Sequence, residues 1–271
     1  MEDRLKRGLK KLREVDGKAG EDIANNMNDI FPDFVKYMIE YVWGDIYSRD
    51  ILDLKSKEMA VVAALTAMGN TEPQLKVHIN GALNVGCTIN EIKEIILQMT
   101  AYSGFPACIN AMNVLKNLLK ERENQGIKDC IGEEPTNKVL PTERYEVGLK
   151  ELCELDSHQA ELLNETYKDI SPDLVQLIIC GQADIMARDN LNRRLRELST
   201  ISALAALGTA GPQLKFHINA GINIGLTADD IKEIMLLISV YSGFPKAING
   251  TNALKEVLTE RSIKGAGLEI E

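Results

Sequence analysis

The chain repeats itself, and that feature limits its architecture more than any other. Leu75-Lys-Val-His-Ile-Asn returns as Leu214-Lys-Phe-His-Ile-Asn, and Tyr102-Ser-Gly-Phe-Pro returns as Tyr241-Ser-Gly-Phe-Pro. From Asp45 onward partners lie 139 residues apart without a gap, and 26 of the 48 positions from Leu75 to Arg122 equal their partners. Before Asp45 the spacing is 140: Arg4 with Arg144, Gly8 with Gly148, Pro32 with Pro172. One residue has therefore been gained or lost between about Val35 and Gly44. The prolines repeat as well, Pro73 with Pro212 and Pro106 with Pro245, while Pro135 and Pro141 fall in a polar stretch without apolar periodicity. A period this long means a duplicated domain, not a solenoid of short units. The expected division is 1–122, a linker over 123–141, and 142–271.

Almost everything outside the linker reads as helix. Leu5, Leu9 and Leu12 recur on one helical face. Pro32 opens an apolar run through Phe34, Val35, Met38, Ile39 and Val42, as proline does in a first turn. Leu54 to Met68 is rich in Ala, Leu and Met and stops at Gly69. Thr71 is the expected cap of the next helix, with Gln74 in the reciprocal position, and Thr88 with Glu91 forms a second capping box. Ser103-Gly-Phe-Pro breaks the helix that follows. No stretch alternates long enough to read as a strand. The expected fold is all-α, two bundles of about six or seven helices each.

Composition narrows the function classes. The charge sum is 31 basic against 40 acidic side chains, −9, with 45% apolar residues. An acidic chain argues against nucleic acid and against anionic membrane surfaces, since phosphates need clustered Lys and Arg. A single arginine can still hold a small anionic substrate. Five cysteines without a CxxC give neither a disulfide framework nor a zinc ribbon. No apolar stretch approaches the ~20 residues that span a bilayer. The N-terminus has no signal-peptide core, and a reducing cytoplasm is the simplest expected compartment.

The candidate chemistry lies in repeated polar residues. Two of the three histidines, His78 and His217, are partners, each inside a helix. Histidine moves protons near neutral pH, although a buried histidine satisfied by hydrogen bonds explains the same pattern. Glu58 and Glu197 lie in the preceding Ala-rich helix, where a short turn could bring each beside its histidine and raise the imidazole pKa. A solvent-facing glutamate is the alternative. Glu94 and Glu233 are expected level with the His helix. Tyr102 and Tyr241 could offer hydroxyls to a substrate. Arg49 and Arg188 could clamp a carboxylate, or serve as helix-end ion pairs. Asn80, Asn84, Asn219 and Asn223 recur at i, i+4 and suit a polar network or a subunit contact. Cys87 and Cys108 face Leu226 and Ala247 in the other repeat, so they read as packing residues. No metal-ligand spacing and no phosphate-binding glycine loop is present, so neither a metal nor a nucleotide cofactor is expected.

The run of His78, Ala82-Leu-Asn-Val-Gly-Cys-Thr, Glu91, Glu94 and Tyr102-Ser-Gly-Phe-Pro resembles the carboxymuconolactone decarboxylase family, and it occurs once per half. The resemblance implies the all-helical alkylhydroperoxidase D-like fold in a tandem two-domain form. Single-domain members commonly build hexameric rings, so three fused chains would build the same ring, with a dimer as second choice. The implied reaction removes CO2 from a small carboxylated substrate without a cofactor. His78 and His217 would supply the proton, oriented by Glu58 and Glu197, with Glu94, Tyr102, Glu233, Tyr241, Arg49 and Arg188 near the substrate. Thiol peroxidases of the same fold use a CxxC whose positions here hold Thr71 and Gln74, then Ala210 and Gln213, so the attacking thiol is missing. The competing expectations are a non-enzymatic ring-forming binding protein and, behind it, a peroxide-reducing protein that relies on unpaired cysteines.

Overall fold

The structure, a computed structural model, describes residues 3–268, apart from the side chains of 19, 21, 23, 24 and 264–268. The outermost residues of the two expected domains, 1–2 and 269–271, lie outside the described residues. The first repeat comprises α1 (Arg4–Val15), α2 (Lys18–Asn28), α3 (Pro32–Met38), a π-helical continuation (Ile39–Tyr47), α4 (Leu54–Met68), α5 (Glu72–Asn84), α6 (Ile89–Gln98) and α7 (Thr100–Asn124). The second comprises α8 (Arg144–Leu155), α9 (Gln159–Tyr167), α10 (Pro172–Ile185), α11 (Arg193–Leu207), α12 (Gly211–Asn223), α13 (Ala228–Tyr241) and α14 (Phe244–Leu268). Among the described residues there is no strand.

The two Ala-rich helices, α4 and α11, form the centre. Each is buried on all sides, as a helix surrounded by protein must be. Ser56 to Ala67 of α4 and Leu195 to Ala206 of α11 are buried without interruption. They pack against each other, and Ser202 Oγ donates to the Ala60 carbonyl at 2.8 Å across the contact. Asp53 and Asn192 cap the two starts, accepting from Ser56 N at 2.6 Å and Leu195 N at 2.8 Å, a contribution of about 1 kcal/mol each. Gly69 (φ 72°) and Gly208 (φ 71°) end them in the left-handed conformation.

Thr71 does not cap α5 with its side chain. Its hydroxyl donates to the Leu65 carbonyl at 3.0 Å and so closes the end of α4 instead. Both Thr88–Glu91 and Thr227–Asp230 form complete capping boxes. The segment after α7 runs back along its own repeat, accepting at Cys130 O and Ile131 O from Ile89 N and Asn90 N, both at 2.9 Å. It then reaches the second repeat, where Asn137 Nδ2 donates to Ala187 O at 2.9 Å.

The one-residue shift in the repeat has a structural counterpart. The first repeat carries the extra residue, and there the helix widens to π geometry over Ile39–Tyr47. In the second repeat the matching α10 stays a regular α-helix. A π segment absorbs one inserted residue without breaking the helix, and such segments concentrate at functional sites.

Candidate active site

Each Ala-rich helix brings its glutamate to the histidine of the helix that follows. His78 Nδ1 lies 3.0 Å from Glu58 Oε2, and His217 Nδ1 lies 2.8 Å from Glu197 Oε2. Both carboxylates are fully buried, and each histidine keeps 6% of its surface exposed. A carboxylate accepting at Nδ1 fixes the neutral ring with its proton there and leaves Nε2 as the working nitrogen. Burial alone would lower the pKa of His78, but Glu58 and Asp16 outweigh it and hold the pKa above its ordinary value.

The tyrosines cross over. Tyr241 of the second repeat stands edge-on to His78 with ring centroids 4.8 Å apart, and Tyr102 of the first stands edge-on to His217 at 5.3 Å. Tyr102 Oη lies 3.3 Å from His217 Nε2. Tyr241 Oη instead lies 3.0 Å from Tyr47 Oη, and Tyr47 donates to Glu58 Oε1 at 2.7 Å. Burial raises the pKa of all three phenols, so they remain donors at neutral pH. Every site is thus assembled from both repeats.

The arginines cross over too. Arg188 binds Glu94 through Nε and Nη2 at 2.7–3.0 Å, and Arg49 Nε donates to Glu233 Oε1 at 2.6 Å. Arg196, fully buried, adds a bond to Glu94 Oε2 at 3.0 Å. Against the upward push of burial, these guanidinium groups hold Glu94 below the usual carboxylate range. The hydrogen bonds of Glu94, Glu233, Arg49 and Arg188 tie the repeats together, and none of them runs to His78 or His217. The asparagines form a polar network: Arg122 binds Asn80 and Asn84, and Arg261 binds Asn219 and Asn223.

Two residues that sequence reasoning passed over complete the first site. Asp16, 3% exposed, ends α1 beside Glu58 and His78. It occupies space that a Cβ at Gly81 would take, since that atom would lie 2.8 Å from Asp16 Oδ1 and 3.1 Å from Glu58 Oε2. Tyr47 is the other, delivered by the π segment. Neither has an equivalent in the second site. Met186 stands where Tyr47 would be and Ala220 where Gly81 would be, and Asp156 turns away to accept from Asn219 Nδ2 at 3.2 Å. Glu197 Oε1 is therefore buried without a hydrogen-bond partner. A cavity of about 10 Å³ lies beside it, lined by Leu155, Met186 and the Glu151–Arg193 pair, room for one water molecule.

Cys87 and Cys108 are buried, and burial raises both thiol pKa values, which disfavours the nucleophilic thiolate. Among the described residues no group of three or more His, Cys, Asp or Glu is placed to hold a metal ion. Nor, among them, is any helix long and apolar enough to cross a membrane.

A fold of two helical repeats, each with a buried His–Glu pair, defines the class, and comparison with known proteins gives the family. The carboxymuconolactone decarboxylase family pattern matches residues 32–117 and again 172–256, so the chain belongs to that family as a tandem two-domain member. It is 33% identical over 121 residues to 4-carboxymuconolactone decarboxylase of Acinetobacter baylyi, covering 44% of this chain and 90% of that one. It is 28% identical over 123 residues to nitrosuccinic acid decarboxylase of Metarhizium robertsii, covering 44% and 83%. A solved structure from Burkholderia xenovorans, assigned as a gamma-carboxymuconolactone decarboxylase subunit, superposes with a TM-score of 0.55 at 22% identity, covering 95% of this chain and 98% of that one. That likeness speaks for the fold.

Proposed function

We propose that this protein is a decarboxylase that needs no cofactor, with His78 and His217 as proton donors oriented by Glu58 and Glu197. The observation that carries the reading is the buried His–Glu pair in both repeats, at 3.0 and 2.8 Å. The raised pKa of His78 supports it, because a general acid must keep its proton near the operating pH. The names of the two decarboxylase relatives support a substrate class. A carboxylated lactone with a conjugated carbonyl and a nitro-substituted succinate each carry a carboxylate next to an electron sink. When the C–CO2 bond breaks, its electron pair moves into that sink and CO2 departs. The imidazolium then returns a proton to carbon. The rings of Tyr241 and Tyr102, from the opposite repeats, pack edge-on against the two imidazoles, which supports a role for these phenols in steadying the developing negative charge.

The test is CO2 release by the full chain from 4-carboxymuconolactone and from nitrosuccinate. His78→Gln with His217→Gln is expected to lower kcat about 100-fold or more, with the helical circular dichroism unchanged. Wild-type turnover in that double variant, or no CO2 from either substrate by the native chain, contradicts the reading.

A further inference from the structure

The two sites share their His–Glu pair and their cross-repeat tyrosine, yet the tyrosine hydroxyl ends in a different place in each. At the second site Tyr102 Oη sits 3.3 Å from His217 Nε2, the nitrogen that Glu197 leaves free. At the first site Tyr241 Oη is drawn 3.0 Å from Tyr47 Oη, and no described residue hydrogen-bonds to His78 Nε2. The angle between the rings, 90° at one site and 83° at the other, does not explain the difference. Tyr47 does. It is 1% exposed, its hydroxyl donates to Glu58 Oε1 at 2.7 Å, and its oxygen is then free to accept from Tyr241. The second repeat has Met186 at this position, a side chain with no hydroxyl, and Glu197 Oε1 there is unpartnered. The inserted residue and the π segment belong to the first repeat alone and end on Tyr47.

We propose that Tyr47 is the positioning residue that makes the two sites unequal, holding Tyr241 away from His78 Nε2 so that this nitrogen stays open to substrate, whereas Tyr102 closes over His217 Nε2. Turnover is then faster at the first site than at the second, a consequence that rests on the histidines being the proton donors. The groups that face His78 are Glu58 from α4, Asp16 from the end of α1, Tyr47 from the π segment and Tyr241 from α13. Those that face His217 are Glu197 from α11 and Tyr102 from α7. At the second site the tyrosine has Thr200 beside its hydroxyl, yet Tyr102 Oη still reaches His217 Nε2. An open Nε2 is worth keeping because a proton can pass only from a nitrogen within hydrogen-bond reach of the reacting carbon.

The chain has only three histidines, so their ring nitrogens can be followed one by one in the full-length protein labelled with 15N-histidine. Spectra are recorded at alkaline pH, where the rings are neutral, and assigned with His78→Gln and His217→Gln. The Nε2 signal of His78 is expected at the position of a free lone pair, and that of His217 displaced by an accepted hydrogen bond. Tyr102→Phe is expected to move His217 to the free position and leave His78 alone. Tyr47→Phe is expected to move His78 toward the bonded position, and adding Tyr241→Phe is expected to move it back, which a loss of packing would not do. In CO2 release, His78→Gln is expected to lower kcat about 100-fold or more and His217→Gln to lower it by a smaller factor. Equal Nε2 signals for the two rings, an unmoved His78 in Tyr47→Phe, or equal losses in the two glutamine variants would overturn the proposal. The spectra decide the inequality of the sites even in a chain that decarboxylates neither substrate, a result that would sink only the decarboxylase reading.

Discussion

Asp16 shows how much one buried side chain changes a site. Its Oδ1 has no hydrogen-bond partner, and burial lifts its pKa to about 7, with Glu58 adding to the shift and His78 opposing it. The folded state therefore binds the Asp16 proton more tightly than the unfolded chain does. Stability from this group is full below its unfolded value, near 4, and is lost as pH rises toward 7. His78 works in the same direction, since its pKa is also raised by folding. Asp16→Asn is expected to flatten the decline between pH 4 and 7 and to raise stability at pH 8 by about 2 kcal/mol, read by urea unfolding across that range. An unchanged slope would mean that Asp16 ionises normally. The His–Glu pairs were legible in the sequence because both members recur at the same spacing. Asp16 was less so: it has a partner, Asp156, but only the glycine at position 81, where the other repeat has Ala220, marks the space that it fills.

At the scale of elements, two devices aim the tyrosines. One is the π segment that ends on Tyr47. The only trace of it in the sequence was the change of spacing from 140 to 139, which fixed the place of an insertion but not the side chain that it turned. The other is the break after Tyr102 and Tyr241. Gly104 (φ 80°, ψ 166°) and Gly243 (φ 85°) lie two residues beyond them, in a region that side chains with a Cβ rarely enter. Gly243→Ala is expected to cost about 2 kcal/mol and to disturb the contact of Tyr241 with His78. Thermal unfolding measures the first effect and the His78 imidazole signals the second. Stability equal to wild type would show that the break tolerates an ordinary backbone. Capping followed the sequence at Thr88, where the motif is local. It failed at Thr71, whose hydroxyl had a better acceptor in the end of the previous helix.

Across the whole molecule, duplication is what the sequence stated most clearly, yet the relation of the copies in space was hidden. Nothing in a linear repeat says that α4 packs on α11, that Arg49 and Arg188 bind carboxylates of the opposite copy, or that each tyrosine completes the other copy's site. Those contacts depend on the packing of two helices that look alike in composition. The exposed apolar residues carry a further proposal. Ile30 and Ile170, Phe105 and Phe244, and Ile109 and Ile248 are repeat partners, each more than half exposed. Matched apolar surface on both copies suits self-association in a closed ring, with a trimer expected first. Phe105→Glu with Phe244→Glu is expected to convert the assembly to monomers in sedimentation velocity. A native chain that sediments as a monomer would refute the proposal.

The central claim is that a histidine from one repeat works with a tyrosine from the other. Steady-state kinetics of CO2 release in the His217→Gln background, where only the first site can act, tests it most directly. Tyr241→Phe is expected to lower kcat there about tenfold, and Tyr102→Phe to leave it within a factor of two. Should Tyr102, the tyrosine of the same repeat, prove to be the one that matters to His78, the shared sites described here would be wrong.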